Sequence, residues 1–193
     1  MASMDPRTHS LSPAVGTTPG AVADSFVVRS ATPDDAERVL ECAREVFVTS
    51  PYVLTSPGEF TMTLEEEREF IAKLHEHPRQ IMLVAEHAGQ IIGILVLTQN
   101  TAKRKLRHAV VLGMSIRQSY RGRRVGTALL REAVAWAEAN PEVQIITLAV
   151  YAANAPAMAL YRRFGFVEHG RLPGALLHDD ETTWENVDMH RRV

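Results

Sequence analysis

The chain has 193 residues, a length typical of one ordinary domain. Hydrophobic residues make up 46% of it, enough for a sizeable core, and the net charge of −2 gives no general attraction to nucleic acid or membrane surfaces. The single cysteine, Cys42, excludes an internal disulfide framework and any metal site built from several cysteines.

The ends and the hydropathy pattern predict a soluble, cytoplasmic chain. No apolar run is long enough to span a bilayer, and the first residues lack a charged start followed by an apolar core. Residues 1–24 are rich in Ser, Thr, Pro, Gly and Ala without periodicity, which predicts a flexible tail. Residues 25–193 are expected to form one domain.

The first half of the chain predicts a strand, two helices and a hairpin. Thr32 before Pro33 is typical of a helix start, and Thr63 with Glu66 three residues later matches a capping box. Two prolines and a glycine between Thr49 and Phe60 predict a loop between the helices. The predicted strands of this half are 25–29, 81–86 and 90–98, the last two joined by a short turn.

The second half predicts four strands and two helices. A basic connection, 100–105, precedes a strand over 106–116, in which Gly113 is a candidate bulge or point of close backbone approach. The remaining predicted elements are a helix from 125 to about 140, a strand over 145–150, a short helix opened by Asn154, and strands over 166–168 and 183–189.

The stretch from Gln118 to Leu130 links the fourth strand to the third helix through a turn rich in arginine and glycine. Such a turn points several backbone N–H groups and the positive end of a helix dipole at one place. Arg121, Arg123 and Arg124 add positive charge beside it. The stretch therefore predicts a site for a phosphate or pyrophosphate.

Several segments together resemble the GCN5-related N-acetyltransferase (GNAT) superfamily. Residues 121–126, RGRRVG, are similar to its R/Q-x-x-G-x-G/A acyl-CoA loop, and residues 160–166, LYRRFGF, to its L-Y-x-x-x-G-F signature. Residues 113–116 and 148–151 followed by Asn154 fit its fourth and fifth strands. The similarity extends from about Phe26 to Met189. One position departs from the pattern: Arg124 stands where the family loop has a glycine.

The resemblance implies an α/β fold of three layers. Its centre would be a mixed, mostly antiparallel sheet of seven strands with helices on both faces, and strands four and five would splay apart. Dimers are common in the family, so the resemblance also allows a homodimer.

The resemblance further implies an N-acetyltransferase that uses acetyl-CoA as co-substrate, needs no metal, and acetylates a primary amine of a small molecule, a protein N-terminus or a lysine. Tyr161 would protonate the departing thiolate, and a backbone N–H near Met114 or Ser115 would polarise the thioester. The residues implied in cofactor binding are Met114, Ser115, Ile116, Arg121, Gly122, Arg123, Arg124, Val125, Gly126, Thr127, Asn154 and Tyr161.

The general base and the acceptor are less well specified. The fourth strand has no carboxylate, so His108, Glu59 or a water chain are the alternatives. The loops Pro51 to Phe60 and Leu172 to Trp184 are expected to form the walls of the acceptor pocket. In the second loop, the acidic run 179–181 could attract a cationic amine or be a solvated turn, and Trp184 could stack on substrate or pack.

The sequence also bears on other possible functions. A non-catalytic acyl-CoA-binding regulator on the same fold is suggested by Arg124 and the missing base. Another class of nucleotide-binding protein is disfavoured, because neither a GxxxxGK[ST] loop nor an early GxGxxG is present. His75 and His77 do not predict a metal site, since side chains two apart on a helix do not face each other. O-acylation and longer acyl chains stay open.

Overall fold

The computed structural model describes residues 25–99, 103–178 and 180–193. The predicted tail, the first half of the basic connection and Asp179 lie outside the described residues. The strands are β1 (Val27–Ser30), β2 (Ile81–His87), β3 (Gln90–Thr98), β4 (Ala109–Ile116), β5 (Ile145–Tyr151), β6 (Val167–Leu177) and β7 (Thr183–Arg192). The α-helices are α1 (Ala36–Thr49), α2 (Leu64–Glu76), α3 (Val125–Ala139) and α4 (Ala155–Arg163).

The strands form one seven-stranded sheet in the order β1-β2-β3-β4-β5-β7-β6. Every neighbouring pair is antiparallel except β4 and β5, which run parallel. The mixed, mostly antiparallel sheet expected from the resemblance is confirmed. Because β4 and β5 are parallel, their carboxyl ends meet at the same edge of the sheet.

Two apolar cores lie on opposite faces of this sheet. Side chains of α3 and α4 pack on one face with Leu83, Leu95 and Val110, while those of α1 and α2 pack on the other with Val84 and Ile94. In β2, for example, neighbouring residues such as Leu83 and Val84 therefore belong to different cores. We call these the α3/α4 face and the α1/α2 face. No helix in the described part of the chain has the length and apolar content needed to cross a membrane.

The parallel pair opens after a short contact. Only the first three residues of each strand are paired, from Ala109 with Ile145 to Val111 with Thr147. β4 continues for five more residues beside β3, and β5 continues to Tyr151 beside β7. The sheet is therefore split between the carboxyl ends of β4 and β5, as the resemblance implies.

Two predicted boundaries were wrong. The fourth strand begins at Ala109 and not at Leu106, because Arg104–Leu106 forms a 3₁₀ turn and the pairing of β4 with β5 begins only at Ala109, that with β3 only at Val111. The sixth strand runs to Leu177, well into the predicted Leu172 to Trp184 loop. Its glycines and Pro173 argue against a strand in the sequence. β6 is an edge strand, however, where such residues are tolerated.

Candidate functional site

The split in the sheet is lined by two small residues on the α1/α2 face. Val110 and Leu112 of β4, like Ile146 and Leu148 of β5, pack in the α3/α4 core, so the intervening residues point to the other face. Just past the last paired residues these are Gly113 and Ala149, and both are exposed although they lie inside strands. An exposed pair of small residues at this point leaves the split open.

The structure gives Gly113 a different role from the predicted bulge. The register with β3 is continuous over Val111–Ile116, with Gly113 opposite Val96. A Cβ on Gly113 would come 3.2 Å from the Val96 side chain and meet no backbone atom within 4 Å. The glycine therefore keeps the split free of a side chain.

The amino end of α3 lies at the same edge of the sheet, since it follows β4 through the short turn Gln118–Tyr120. Helical hydrogen bonding begins with the Ala128 N–H, which donates to the Arg124 carbonyl at 3.0 Å. The N–H groups of residues 125–127 precede this bond, and the N-cap Arg124 supplies no side-chain hydrogen bond to them. These N–H groups are therefore placed for an anionic ligand.

The backbone of the turn before α3 enters the left-handed region twice, at Gly122 with φ +74° and at Arg124 with φ +65°. Arg124 occupies the position of the missing glycine, so its side chain is accommodated in a conformation that glycine adopts more readily. Arg121 is tied back to the strand end, where its Nε donates to the Ile116 carbonyl at 3.2 Å. Arg123 lies over the Tyr120 ring, 5.4 Å from its centroid.

Gly126 allows α3 to approach β4 and α4 closely. A Cβ there would lie 2.9 Å from Ile116 Cδ1 and 3.2 Å from Leu160 Cδ2. The residues predicted to bind the cofactor through the loop, 121–127, and through the strand end, 114–116, are thus brought together by this packing.

Tyr161 lies on α4, on the same face as α3, and only 7% of it is exposed. Its ring packs against Phe166 with the centroids 5.8 Å apart. Burial raises the pKa of the Tyr161 hydroxyl to about 12, so the phenol is neutral at physiological pH.

Asn154 caps the same helix, where its side-chain oxygen accepts from the Ala157 N–H at 3.3 Å.

The structure does not bring His108 to this edge. It immediately precedes β4, and its carbonyl accepts from the N–H groups of Gln144 and Ile145 at the start of β5. Eight strand residues separate it from the split end of β4, roughly 26 Å of extended chain. Glu59 lies in the loop between α1 and α2, where its exposed carboxylate accepts from the Ser56 N–H at 2.9 Å.

A pocket of about 400 Å³ lies on the α1/α2 face, beside the end of β5. It is lined by residues 47–51 and 53–56, together with Tyr151, Leu177 and His178. We call it the acceptor-side pocket. The two predicted wall segments therefore do meet, although the second contributes the end of β6 and the residue after it.

Four aromatic rings form one wall of this region: Tyr52, Tyr151, His178 and Trp184. His178 and Trp184 are in closest contact, with ring centroids 4.2 Å apart, and Tyr151 lies 5.7 Å from His178 and 5.8 Å from Trp184. The Tyr151 hydroxyl donates to the Val53 carbonyl at 3.1 Å, which holds the loop against the strand end. Tyr52 and His178 lie in the two segments predicted as pocket walls, whereas Tyr151 was not predicted to line the pocket, because its meeting with the other rings depends on the tertiary fold.

Two acidic residues beyond His178 lie in the hairpin turn between β6 and β7. The Asp180 carboxylate accepts from the N–H and the hydroxyl of Thr182 at 3.0 and 2.6 Å. Glu181 is exposed, with φ +63°. Both residues add negative charge beside the pocket without lining it.

A larger concavity of about 580 Å³ lies at the other edge of the sheet, between the end of α4 and the end of β7. Arg163, Phe164 and His190 contribute to its lining. It contains no residue predicted to bind cofactor or acceptor, and it is far from the split. Size alone therefore does not identify the functional site here. Within the described residues, no group of three or more His, Cys, Asp and Glu side chains could hold a metal ion.

Comparison with known proteins agrees with this geometry. The family model described as "Acetyltransferase (GNAT) family" matches residues 44–166. The L-amino acid N-acetyltransferase AaaT of Escherichia coli (strain K12) is 30% identical over 98 residues, which cover 51% of this chain and 60% of that protein. The chain therefore matches less than two thirds of this relative's length.

Solved structures have the same fold. An acetyltransferase of the GNAT family from Streptococcus pneumoniae superposes with a TM-score of 0.84 at 26% identity, over 88% of this chain and 100% of that chain. A GNAT superfamily phosphinothricin acetyltransferase from Sinorhizobium meliloti, solved in complex with AcCoA, superposes with a TM-score of 0.76 at 20% identity, over 87% and 88% of the two chains.

Proposed function

This chain belongs to the acetyltransferase (GNAT) family, and on that basis we propose that it is an acetyl-CoA-dependent N-acetyltransferase. The acetyl group would pass directly to a primary amine of a small molecule, a protein N-terminus or a lysine. The observation that carries the proposal is the split between β4 and β5, with the open amino end of α3 and Tyr161 on one face and a pocket on the other.

The donor would bind from the α3/α4 face. The backbone N–H groups at the start of α3 and the arginines of the preceding turn suit the pyrophosphate of CoA. Past Val111, the edge of β4 that faces β5 has no paired strand among the described residues. An extended pantetheine arm could therefore pair with the backbone at Met114 and Ile116. Asn154, in the turn after β5, would contact the same arm.

The transfer itself needs one nucleophile and one leaving group. The neutral amine attacks the thioester carbon, whose oxygen takes a hydrogen bond from a backbone N–H near Met114 or Ser115. The new C–N bond forms, the C–S bond breaks, and CoA leaves as a thiol. The amine loses one proton to solvent and the departing thiolate takes one from it; of the two candidate bases, Glu59 lies in the loop that lines the pocket.

Tyr161 would donate its hydroxyl hydrogen to the sulfur as the C–S bond breaks. A phenol with a pKa of about 12 is neutral at every pH at which the enzyme would work. An ordinary thiol has a pKa near 8.5, so complete transfer to a free thiolate would be uphill by roughly 5 kcal/mol. The contribution we propose is therefore a hydrogen bond that strengthens as charge develops on sulfur, ahead of protonation from solvent.

The Tyr161→Phe variant tests this role. Removal of the hydroxyl leaves the ring packed on Phe166, so the fold and CoA affinity should be nearly unchanged, while kcat should fall by about 100-fold. Steady-state turnover with acetyl-CoA, calorimetric titration with CoA and a thermal melt separate these effects. Unchanged turnover with unchanged CoA affinity would remove Tyr161 from the mechanism.

A further inference from the structure

The described lining of the acceptor-side pocket contains no permanently charged side chain. None of the described residues that line it is Lys, Arg, Asp or Glu. Its surface is made of hydroxyl, aromatic and aliphatic side chains and of backbone groups from the loop between α1 and α2. A charged group on the acceptor would therefore find no fixed counter-charge among the lining side chains.

The arginine at the end of β4 is already engaged. Arg117 is buried, its Nε donates to the Ile91 carbonyl at 2.8 Å, and its guanidinium pairs with the carboxylates of Glu45 and Glu41. The turn after His178, which itself lines the pocket, carries Asp180 and Glu181. The surroundings thus favour an approaching ammonium group and oppose a carboxylate.

One polar atom of the pocket is unsatisfied. The Nε2 atom of His178 is buried and has no hydrogen-bond partner among the described residues. The ring is held in place by Trp184 and Tyr151. Buried polar atoms are normally paired, so a hydrogen-bonding group of a bound molecule, such as an amide, would satisfy this nitrogen.

We propose that the acceptor carries its amine next to an uncharged group, as in an α-amino amide or the first residue of a peptide, and that free α-amino acids are poor acceptors. This inference rests on the proposed acetyltransferase function. The α-carboxylate of a free amino acid lies two bonds from the nitrogen that must reach the thioester, so it would enter the pocket with the amine. It would lose its hydration there without gaining a cation.

Matched pairs of acceptors test the effect of this carboxylate alone. L-leucine and L-leucinamide, and likewise L-alanine and L-alaninamide, differ only in the carboxylate and the carboxamide. Because their amines ionise differently, full pH–rate profiles are needed, and the pH-independent kcat/KM values are compared. We expect each amide to exceed its acid by at least about tenfold, the usual size of a lost charge pairing.

A cation placed at the pocket should weaken the preference for the amide. Leu54 lines the pocket and is 72% exposed, so a longer polar side chain fits there without disturbing a core. Leu54→Arg should lower the amide-to-acid ratio by about threefold or more. Leu54→Gln, of similar length but uncharged, should leave the ratio within about 1.5-fold of the wild-type value.

The outcomes separate this inference from the proposed function. An acid used as well as its amide, or a ratio that Leu54→Arg and Leu54→Gln change equally, overturns the inference while the transferase activity stands. Acetylation of other amines without either member of any pair also overturns it. If no amine is acetylated at all, the proposed function fails, and the inference fails with it.

Discussion

Arg124 has a left-handed backbone conformation at a position where the family pattern has a glycine. The residue has φ +65° at the N-cap of α3. A side chain in the left-handed region costs roughly 1–2 kcal/mol, which is why glycine is favoured at such positions. The turn nevertheless keeps its shape, because Gly122 supplies the other left-handed residue and α3 packs through Gly126. The substitution therefore lowers stability without closing the anion site.

Arg124→Gly should relieve this strain. We expect the free energy of unfolding to rise by about 0.5–1 kcal/mol, less than the full strain because glycine also makes the unfolded chain more flexible. Urea denaturation followed by circular dichroism measures the change. Arg123→Gly is the matched control: its φ is not positive, and it stacks on Tyr120, so the same replacement should destabilise. A loss of stability in both variants would contradict the proposed strain.

At the scale of elements, the local signals in the sequence predicted helix starts well. Thr63 does accept from the Glu66 N–H, and the Glu66 carboxylate accepts from the Thr63 N–H at 2.8 Å. Asn154 caps α4 as expected. These contacts join residues three apart in the chain, so residue type and spacing are enough to predict them.

Strand β6 and the acceptor-side pocket were harder to predict. β6 is an edge strand that is mostly exposed, with register shifts after Glu168 and Leu172, so it lacks the alternation that marks a half-buried strand. His178 and Tyr151 come from different elements and meet only when β6, β7 and the α1–α2 loop are assembled. The end of β4 and the turn before α3 belong to one contiguous segment, so their proximity follows from the sequence, whereas the acceptor-side pocket is built from several segments.

For the whole molecule, one ionic network joins three elements at the start of the chain. Asp35, only 1% exposed, accepts two hydrogen bonds of 2.7 Å from Arg29 of β1 and pairs with Arg38 of α1. Arg29 also binds Glu86 of β2 at 2.6 Å. The hydrogen bonds from Arg29 hold the pKa of the Asp35 carboxyl well below its usual range.

Asp35→Asn should destabilise the protein by about 2–4 kcal/mol at pH 7, because two arginines lose their buried counter-ion. The depressed pKa makes the Asp35 contribution complete above the unfolded-state value near 3.9 and lost as the pH falls through the lower folded-state value. The gap between wild type and variant should therefore shrink below about pH 4 in urea titrations. Asp34→Asn, at an exposed neighbour, should change stability little. A gap independent of pH would contradict the ionic explanation.

The two faces of the sheet have different roles in the proposed reaction. The α3/α4 face offers N–H groups, arginines and Tyr161 for the donor, and the α1/α2 face offers the acceptor a pocket whose described lining has no Lys, Arg, Asp or Glu. The split between β4 and β5, kept open by Gly113 and Ala149, connects them. Donor and acceptor could therefore bind at the same time, which suits direct transfer without an acyl-enzyme.

The most direct test of this proposal is a screen of primary amines with acetyl-CoA that measures free thiol and acetylated product together. We predict that at least one amine yields acetylated product, identified by mass spectrometry, in equal amount to the thiol released. CoA binding by calorimetry, with no product from any amine, would contradict catalysis and indicate a non-catalytic acyl-CoA-binding regulator.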